Sequence, residues 1–400
     1  MDEPARNRFL TRFLNLGHFL DHLVMLVFPT VVIGLTREWH VGYAELLPYA
    51  VGGFIAFGAF ALPAGWLADH WGRYKMMVVF FFGTGVAMIA TGFARTPLEI
   101  GIGLTCVGMF AAIYHPVATA MLVADSGRIG RALGWNGLWG NFGLGAAALI
   151  AGALMQLAGW RTAFFLPGAA TLAAGAAFLA LARDPGKVAR TGKRLGQDID
   201  ARTMWRIFGV VVLATICGGI IFNATTVAMP KLFQERMAAL THTSLGIGAL
   251  VSLVYCMAAV AQVVVGTLID RFDLKRVFVP VALLQAPFLL LAGSLSGFAM
   301  LVVAVAMMLV VFGQIPLNDA ILGRYTRDEY RARVYAVRYV VSLGAAAAGV
   351  PLVALLYRAT GGFHNMFAVL AALSLLTLSG ALLLPSRAQI EARRAASVPA

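Results

Sequence analysis

Apolar runs of about 20 residues recur along almost the whole chain, and this pattern constrains the fold more than any other feature. An α-helix rises ~1.5 Å per residue, so about 20 residues are needed to cross the ~30 Å hydrocarbon layer of a membrane. Hydrophobic residues make up 60% of the chain and charged residues 12%, whereas roughly 45 to 50% of a soluble domain is apolar. The sequence therefore predicts an all-α membrane protein.

Twelve transmembrane helices are predicted from the apolar runs and from the Gly, Pro and charged residues between them. The predicted spans lie at about 12–35, 44–68, 75–94, 98–123, 132–157, 160–182, 204–230, 243–268, 277–295, 297–322, 332–357 and 362–384. The first run is long and lacks a small-residue cleavage site, so we expect a span there rather than a signal peptide.

The positive charges predict how the chain is oriented in the membrane. Most of the 31 Lys and Arg residues lie in the amino-terminal segment, in the connections after even-numbered spans and in the carboxy-terminal tail. The opposite connections hold six, which are Arg37, Arg95, Arg161, Lys231, Arg236 and Arg358. By the positive-inside rule, both termini face the cytoplasm. The basic residues form no continuous patch or nucleic-acid motif, so we expect no nucleic-acid partner despite the net charge of +13. Their positions indicate the membrane topology instead.

A repeat divides the chain into two halves. The connection after span 2 reads Gly65-Trp-Leu-Ala-Asp-His-Trp-Gly-Arg-Tyr-Lys75, and the connection after span 8 reads Gly266-Thr-Leu-Ile-Asp-Arg-Phe-Asp-Leu-Lys-Arg276. The two aspartates are 201 residues apart, and a second match, between Arg131 and Arg333, has a shift of 202 residues. Two pseudo-symmetric bundles of six helices follow from this repeat.

The middle connection separates the predicted domains. Its charged sequence has almost no large apolar side chains, which is typical of a solvated linker. The predicted domains are an N-terminal bundle at 1–182, a cytoplasmic linker at 183–203, a C-terminal bundle at 204–385 and a cytoplasmic tail at 386–400.

The loop from Gly65 to Lys75 resembles the signature loop of the major facilitator superfamily, and the span count and half repeat agree with this resemblance over the whole chain. The resemblance implies a transporter that binds its substrate near the membrane midplane and works by alternating access. It also implies a cytoplasmic gate between spans 2 and 11, in which glycine allows close helix approach and an aspartate pairs with basic residues. The implied gate residues are Gly65, Asp69, Gly72 and Arg73, with Asp270, Arg271 and Arg276 as a weaker copy.

A handful of ionisable residues lie inside predicted spans, where each costs roughly 2.5 kcal/mol or more and is therefore expected to serve a function. His18 shares a helix stripe with Asp21 and His22, because these residues follow it by three and four positions. The resemblance implies that spans 1, 4, 7 and 10 line the cavity, so Tyr114 and His115 of span 4 should converge with the span 1 cluster. In the second half, Asp319 and Arg338 are expected to form an ion pair, and Asn223 and Gln314 to line the cavity.

We interpret the His/Asp cluster as a proton-titratable binding site, since histidine has an unperturbed pKa near 6.5. Asp21 would be the proton carrier or the partner of the histidines, and His115 would contact an anionic or polar substrate. A satisfied polar cluster that packs spans 1 and 4 is the structural alternative. Transition-metal ligation by these residues is also open, but no Cys-rich or His-rich loop supports it, and no metal is predicted.

Prolines interrupt several predicted spans and permit kinks there. They are Pro29, Pro116, Pro230, Pro316 and Pro351, in spans 1, 4, 7, 10 and 11.

The segments His18-Phe-Leu-Asp-His22 and Tyr114-His-Pro116 resemble the fosmidomycin-resistance-type drug/proton antiporter branch of the superfamily. This branch implies export of a small anionic or amphipathic compound in exchange for protons. We also expect a monomer in the bacterial inner membrane, with the proton gradient as energy source and no cofactor. Two features differ from many drug/proton antiporters: residues 101–108 of span 4 contain no arginine, and residues 140–146 of span 5 lack a Gly-Pro pair.

Two other functions stay open on the sequence. The same cavity would serve proton-coupled uptake of a small organic acid or nutrient, and a membrane receptor or sensor could keep the fold without transport. No HExxH, GxSxG or nucleotide-binding loop is present, so the sequence predicts no enzyme. The expected partners are a small-molecule substrate, protons and the lipid bilayer.

Overall fold

The structure is a computed structural model that describes residues 3–125, 129–184, 201–325, 328–386 and 389. Side chains are described in these ranges except at residues 3–8, 123–125, 129–131, 201–202, 323, 328–340 and 343. Helices joined by short turns make up the described chain.

The helices follow one another along the chain in sixteen segments and one short 3₁₀ turn. They are α1 (Glu3–Leu26), α2 (Phe28–Glu38), α3 (Tyr43–Leu46), the 3₁₀ turn (Leu47–Ala50), α4 (Val51–Ala59), α5 (Ala61–Trp71), α6 (Arg73–Gly92), α7 (Pro97–Ala111), α8 (Tyr114–Asp125), α9 (Ile129–Ala158), α10 (Thr162–Leu181), α11 (Ala201–Arg236), α12 (Ser244–Arg271), α13 (Leu274–Ala292), α14 (Gly297–Tyr325), α15 (Asp328–Thr360) and α16 (His364–Leu383).

Ten helical segments of the described chain are long and apolar enough to cross a membrane, and the bent pair of α3–α4 with α5 makes an eleventh. Each of them overlaps one predicted span. The remaining predicted span, 332–357, lies in α15, whose described apolar part is the shorter segment Gly344–Thr360. The prediction of an all-helical, multi-span membrane fold is confirmed.

Two of the five predicted proline positions break their spans into separate helices. Pro29 has no amide hydrogen for the carbonyl of Met25, and Pro116 has none for that of Ala112, so α1 ends before α2 and α7 ends before α8. The helix continues through the other three prolines, which are Pro230, Pro316 and Pro351. The break in span 4 directly precedes Tyr114 and His115, and the break in span 1, at Val27, lies five positions after His22.

The described helices group into two compact units. The first contains residues 3–184 together with Val227–Cys256, and the second contains residues 201–226 and the chain from residue 257 onward. The carboxy-terminal end of α11 and the amino-terminal part of α12 therefore group with the first unit. The domain boundaries inferred from the repeat stay a prediction.

An aromatic core holds α1, α6, α8 and α10 of the first unit together. Phe80, Phe81, Tyr114 and Phe178 are fully buried in it. The ring centroids of Phe80 and Tyr114 lie 5.4 Å apart, and those of Phe81 and Phe178 lie 5.5 Å apart. Because aromatic side chains bury large apolar areas, this core fixes the start of α8 beside α1.

Glycines bring α9 against α1. A Cβ atom at Gly143 would overlap the carbonyl oxygen of Phe19, and one at Gly140 would lie 2.5 Å from Nε2 of His18. Glycine thus allows the two helices to approach at a distance that any side chain would prevent. The approach places α9 beside the histidines of α1.

The second unit has its own apolar core between α11, α13 and α14. Val211, Phe278 and Leu317 are fully or almost fully buried there. Two glutamine side chains, Gln285 of α13 and Gln314 of α14, also form a polar contact in this unit.

Candidate functional site

Three histidines from α1 and α8 meet in the first unit. The ring centroids of His18 and His22 lie 4.8 Å apart, those of His18 and His115 5.2 Å, and those of His22 and His115 5.6 Å. All three residues are partly exposed, so the rings border accessible space. The structure therefore brings the sequence-predicted residues of spans 1 and 4 together.

Asp21 lies behind the histidine rings and is 0% exposed. Its Oδ2 atom is 3.5 Å from Nε2 of His115, a distance that suits an ion pair rather than a directed hydrogen bond. Neither carboxylate oxygen has a hydrogen-bond partner among the described residues. A buried carboxyl group without such partners is costly, and it is the least satisfied group of the cluster.

The backbone of α9 fixes the tautomer of His18. Nδ1 of His18 lies 2.8 Å from the carbonyl oxygen of Asn136. A carbonyl oxygen can only accept, so Nδ1 carries the hydrogen and Nε2 of the neutral ring carries the lone pair. Nε2 is buried and has no hydrogen-bond partner in the described part of the chain.

A hydrogen-bond network positions these rings. The hydroxyl of Tyr114 donates to the carbonyl of Leu14 at 2.6 Å and accepts from Nδ2 of Asn136 at 2.9 Å. The same Nδ2 atom lies 3.0 Å from Oδ1 of Asn15. The Tyr114 ring stacks on His18 with 4.9 Å between centroids. Tyr114 is 0% exposed, so in this structure it supports the site from behind.

Sequence reasoning missed two of the supporting residues. Asn15 is almost fully buried and lies three positions before His18, a spacing that could have placed it on the same helix stripe. Phe57 of α4 lies 5.7 Å from the ring of His115, and nothing in its apolar surroundings distinguishes it in the sequence.

The histidine spacing bears on what the cluster can hold. One ring nitrogen from each histidine lies within 4.8 Å of the others. Zinc binds imidazole nitrogen at ~2.0–2.1 Å, so two ligands of one ion are at most about 4.2 Å apart. An oxygen atom that hydrogen-bonds two nitrogens at ~2.8 Å bridges up to about 5.6 Å. A spacing of 4.8 Å fits a bridging oxygen as it stands, and a shared metal ion after the rings draw together.

The predicted residues of the second half lie in the second unit. Gln314 is buried, donates to the carbonyl of Ala214 at 3.0 Å and accepts from Nε2 of Gln285 at 2.6 Å, which makes it a contact between helices. Asn223 is buried, and its Oδ1 atom has no hydrogen-bond partner among the described residues. Asp319 is exposed, and the side chain of Arg338 lies outside the described residues, so their ion pair stays a prediction.

The first predicted gate loop joins α5 to α6. Asp69 and Arg73 form an exposed ion pair at 3.3 Å, and Gly72 between them has a φ of 116°, which favours glycine. A Cβ atom at Gly65 would touch Pro116 of α8 at 3.5 Å.

The copy of the gate in the second unit is exposed at all three of its residues, Asp270, Arg271 and Arg276. The part of span 11 that is predicted to meet the gate loop lies at residues 328–340, whose side chains are not among those described. The gate therefore stays a prediction.

An all-helical, multi-span membrane protein with a polar cluster inside its helices fits a secondary transporter. The chain belongs to the Major Facilitator Superfamily, whose family model matches residues 14–239 and again 211–398. Members of this family are membrane transporters, so the prediction that the chain is not an enzyme is confirmed. The matches do not decide the narrower fosmidomycin-resistance-type branch, which stays a prediction.

The relatives of the chain include a resistance protein and a transporter. The puromycin resistance protein of Streptomyces alboniger is 30% identical over 148 residues, which is 36% of this chain and 29% of that protein. The gallate transporter of Pseudomonas putida is 23% identical over 322 residues, which is 72% of this chain and 71% of that protein. The chain thus aligns with less than a third of the first relative and about seven-tenths of the second.

A solved structure similar to the chain is a bacterial homologue of the human lysosomal transporter Spinster in an inward-facing, occupied conformation. It has a TM-score of 0.74 and 15% sequence identity over 96% of this chain and 95% of that chain. At this identity the likeness shows the fold alone.

Proposed function

We propose that the chain is a secondary transporter that takes up a small organic anion together with protons. The observation that carries this proposal is the carboxyl group of Asp21, which is fully buried, 3.5 Å from His115 and without a hydrogen-bond partner in the described residues. The gallate transporter, similar over 72% of this chain, supports an organic acid as substrate class.

Charge balance couples the anion to the proton. Removing an unpaired carboxylate from water costs several kcal/mol, so Asp21 needs a proton or a neighbouring cation. A substrate anion beside the histidine rings adds a second negative charge. At an effective dielectric of ~20, two like charges ~5 Å apart repel by roughly 3 kcal/mol, or about 100-fold in affinity. The anion therefore binds far better when Asp21 or an adjacent histidine holds a proton.

Joint binding of an anion and a proton favours uptake. Each occupied cycle carries both species across the membrane, so an inward proton gradient drives the anion inward. The proposed setting is a monomer in the bacterial inner membrane with both termini in the cytoplasm.

Export in exchange for protons is the second candidate. The sequence resemblance to the drug/proton antiporter branch and the similarity to the puromycin resistance protein over 148 residues favour it. In this case the substrate and the proton would occupy the cluster in turn.

Transport by purified protein in liposomes tests the proposal. With labelled gallate outside and an inward proton gradient, we expect accumulation by the wild-type protein and none by Asp21→Asn. The amide mimics the protonated carboxyl, so Asp21→Asn should still exchange labelled for unlabelled gallate. Glu45→Gln, at an exposed carboxyl group of α3, is the matched control and should accumulate gallate.

Two outcomes would change the conclusion. Gradient-driven accumulation by Asp21→Asn would remove the assigned role of this carboxyl group. An inward proton gradient that speeds gallate loss from loaded liposomes would replace uptake by export.

A further inference from the structure

The lone pair on Nε2 of His18 has a chemical consequence for substrate choice. With Nδ1 committed as a donor to the carbonyl of Asn136 at 2.8 Å, the neutral ring offers an acceptor at Nε2. A carboxylate has lone pairs and no hydrogen, so it cannot satisfy this atom. A hydroxyl group can.

The ring of His18 is held in place on several sides. Tyr114 stacks on one face at 4.9 Å between centroids, and Gly140 of α9 packs against the ring at Nε2. The close approach of Gly143 to Phe19 keeps α9 at this position. An acceptor fixed in this way can recognise a donor with little loss of conformational freedom on binding.

The spacing of the histidines fits one hydroxyl oxygen. One ring nitrogen of each histidine lies within 4.8 Å of the other two, inside the ~5.6 Å that a hydrogen-bonded oxygen can bridge. Such an oxygen donates its hydrogen to Nε2 of His18 and accepts an N–H from His22 or His115. Nε2 is buried in this structure, with Gly140 of α9 packed against it, so the proposed contact requires this packing to open as the substrate enters.

We propose that His18 is a specificity-determining residue that reads a hydroxyl group, and that the preferred substrates are organic acids carrying a free hydroxyl. This inference rests on the proposed function, because it takes the histidine cluster as the substrate site. It adds a chemical requirement that an anion-binding site alone does not have.

Binding of matched aromatic acids to the purified full-length protein tests the inference. The probes are gallate, benzoate and 3,4,5-trimethoxybenzoate, which share the carboxylate and differ in their hydroxyl groups. A substrate hydroxyl that pairs with this already buried acceptor gains about 10-fold or more in affinity over an acid that leaves the acceptor unsatisfied. We therefore expect the wild-type protein to bind gallate at least about 10-fold more tightly than either of the other acids.

Two substitutions at His18 separate recognition from packing. Asparagine in His18→Asn can keep the bond to the carbonyl of Asn136 but has no atom at the position of Nε2, so the gallate-to-benzoate ratio should fall toward one. Glutamine in His18→Gln can place an amide oxygen near the position of Nε2 and should retain most of the ratio. The control Glu45→Gln should leave the ratio at its wild-type value.

The outcomes are distinct for the inference and for the proposed function. Equal affinity for gallate and benzoate, together with proton-driven transport of both, would overturn the hydroxyl requirement and leave the proposed function standing. No binding of any of the three acids would overturn aromatic carboxylates as the substrate class and the hydroxyl requirement with it. If the affinity ratio falls equally in His18→Asn and His18→Gln, in step with melting temperature, His18 acts through packing.

Discussion

Alanine at Gly143 is predicted to weaken the packing of the first unit. A Cβ atom there would overlap the carbonyl oxygen of Phe19, a backbone atom that cannot rotate away. Helices α1 and α9 would have to separate by on the order of 1 Å, which forfeits a quarter to a half of the dispersion attraction at the contact. Overlap with a backbone atom places the cost in the upper part of the ~1–3 kcal/mol range for overpacking, at ~2–3 kcal/mol, and the ~1 kcal/mol by which alanine outranks glycine in a helix offsets part of it. We expect the free energy of unfolding to fall by about 1–2 kcal/mol.

Gly137→Ala is the matched control on the same helix. Apart from the adjoining residues and backbone of α9, no atom of the described residues lies within 4 Å of a Cβ built at Gly137, so alanine gains its helix propensity without a clash. Its free energy of unfolding should stay level or rise by up to ~1 kcal/mol. Both variants replace glycine with alanine, but the predicted changes in their free energies of unfolding differ in sign.

Thermal unfolding in detergent, followed by size-exclusion chromatography, measures both variants. Gallate binding measured alongside should weaken in Gly143→Ala and not in Gly137→Ala, because the carbonyl of Asn136 that orients His18 lies on α9. A Gly143→Ala protein as heat-stable as the wild type would refute the close approach of α1 and α9.

Three further changes have expected outcomes. Tyr114→Phe removes the 2.6 Å bond to the carbonyl of Leu14 and should cost about 1 kcal/mol of unfolding free energy, whereas an unchanged melting temperature would show the bond to be unimportant. Gly72→Ala forces a non-glycine residue to a φ of 116° and should cost roughly 1–3 kcal/mol; equal stability would mean that the loop has another conformation. Arg161→Gln removes a 3.1 Å ion pair with Glu38 that is half-exposed, so a loss of less than about 1 kcal/mol is expected, and a larger loss in thermal unfolding would contradict its surface character.

The apolar pattern alone predicted most of the fold. A run of about 20 apolar residues has no stable alternative to a membrane helix, because its backbone groups must bond within the segment. The described helices overlap the predicted spans for this reason. The resemblance of the Gly65 to Lys75 loop, together with the span count and the half repeat, indicated the superfamily that the family match then confirmed.

The sequence was less informative about breaks within the spans. Pro29 and Pro116 end a helix in the structure, whereas the helix continues through Pro230. A proline removes one hydrogen bond in every case, and the packing of the neighbouring helices decides whether the backbone bends or separates. Packing of this kind depends on residues that are distant in the chain.

The sequence by itself determined which polar residues enter the membrane: His18, Asp21, His22 and His115 stand out because a charged or titratable group is costly there. Only the tertiary structure decided what each group faces. Asn136, more than 100 positions from His18, fixes the tautomer of that ring through a backbone carbonyl, and the period of a single helix carries no information about such a contact. Small residues such as Gly143 allow the helices to approach closely, and this approach brings the polar side chains together in one site.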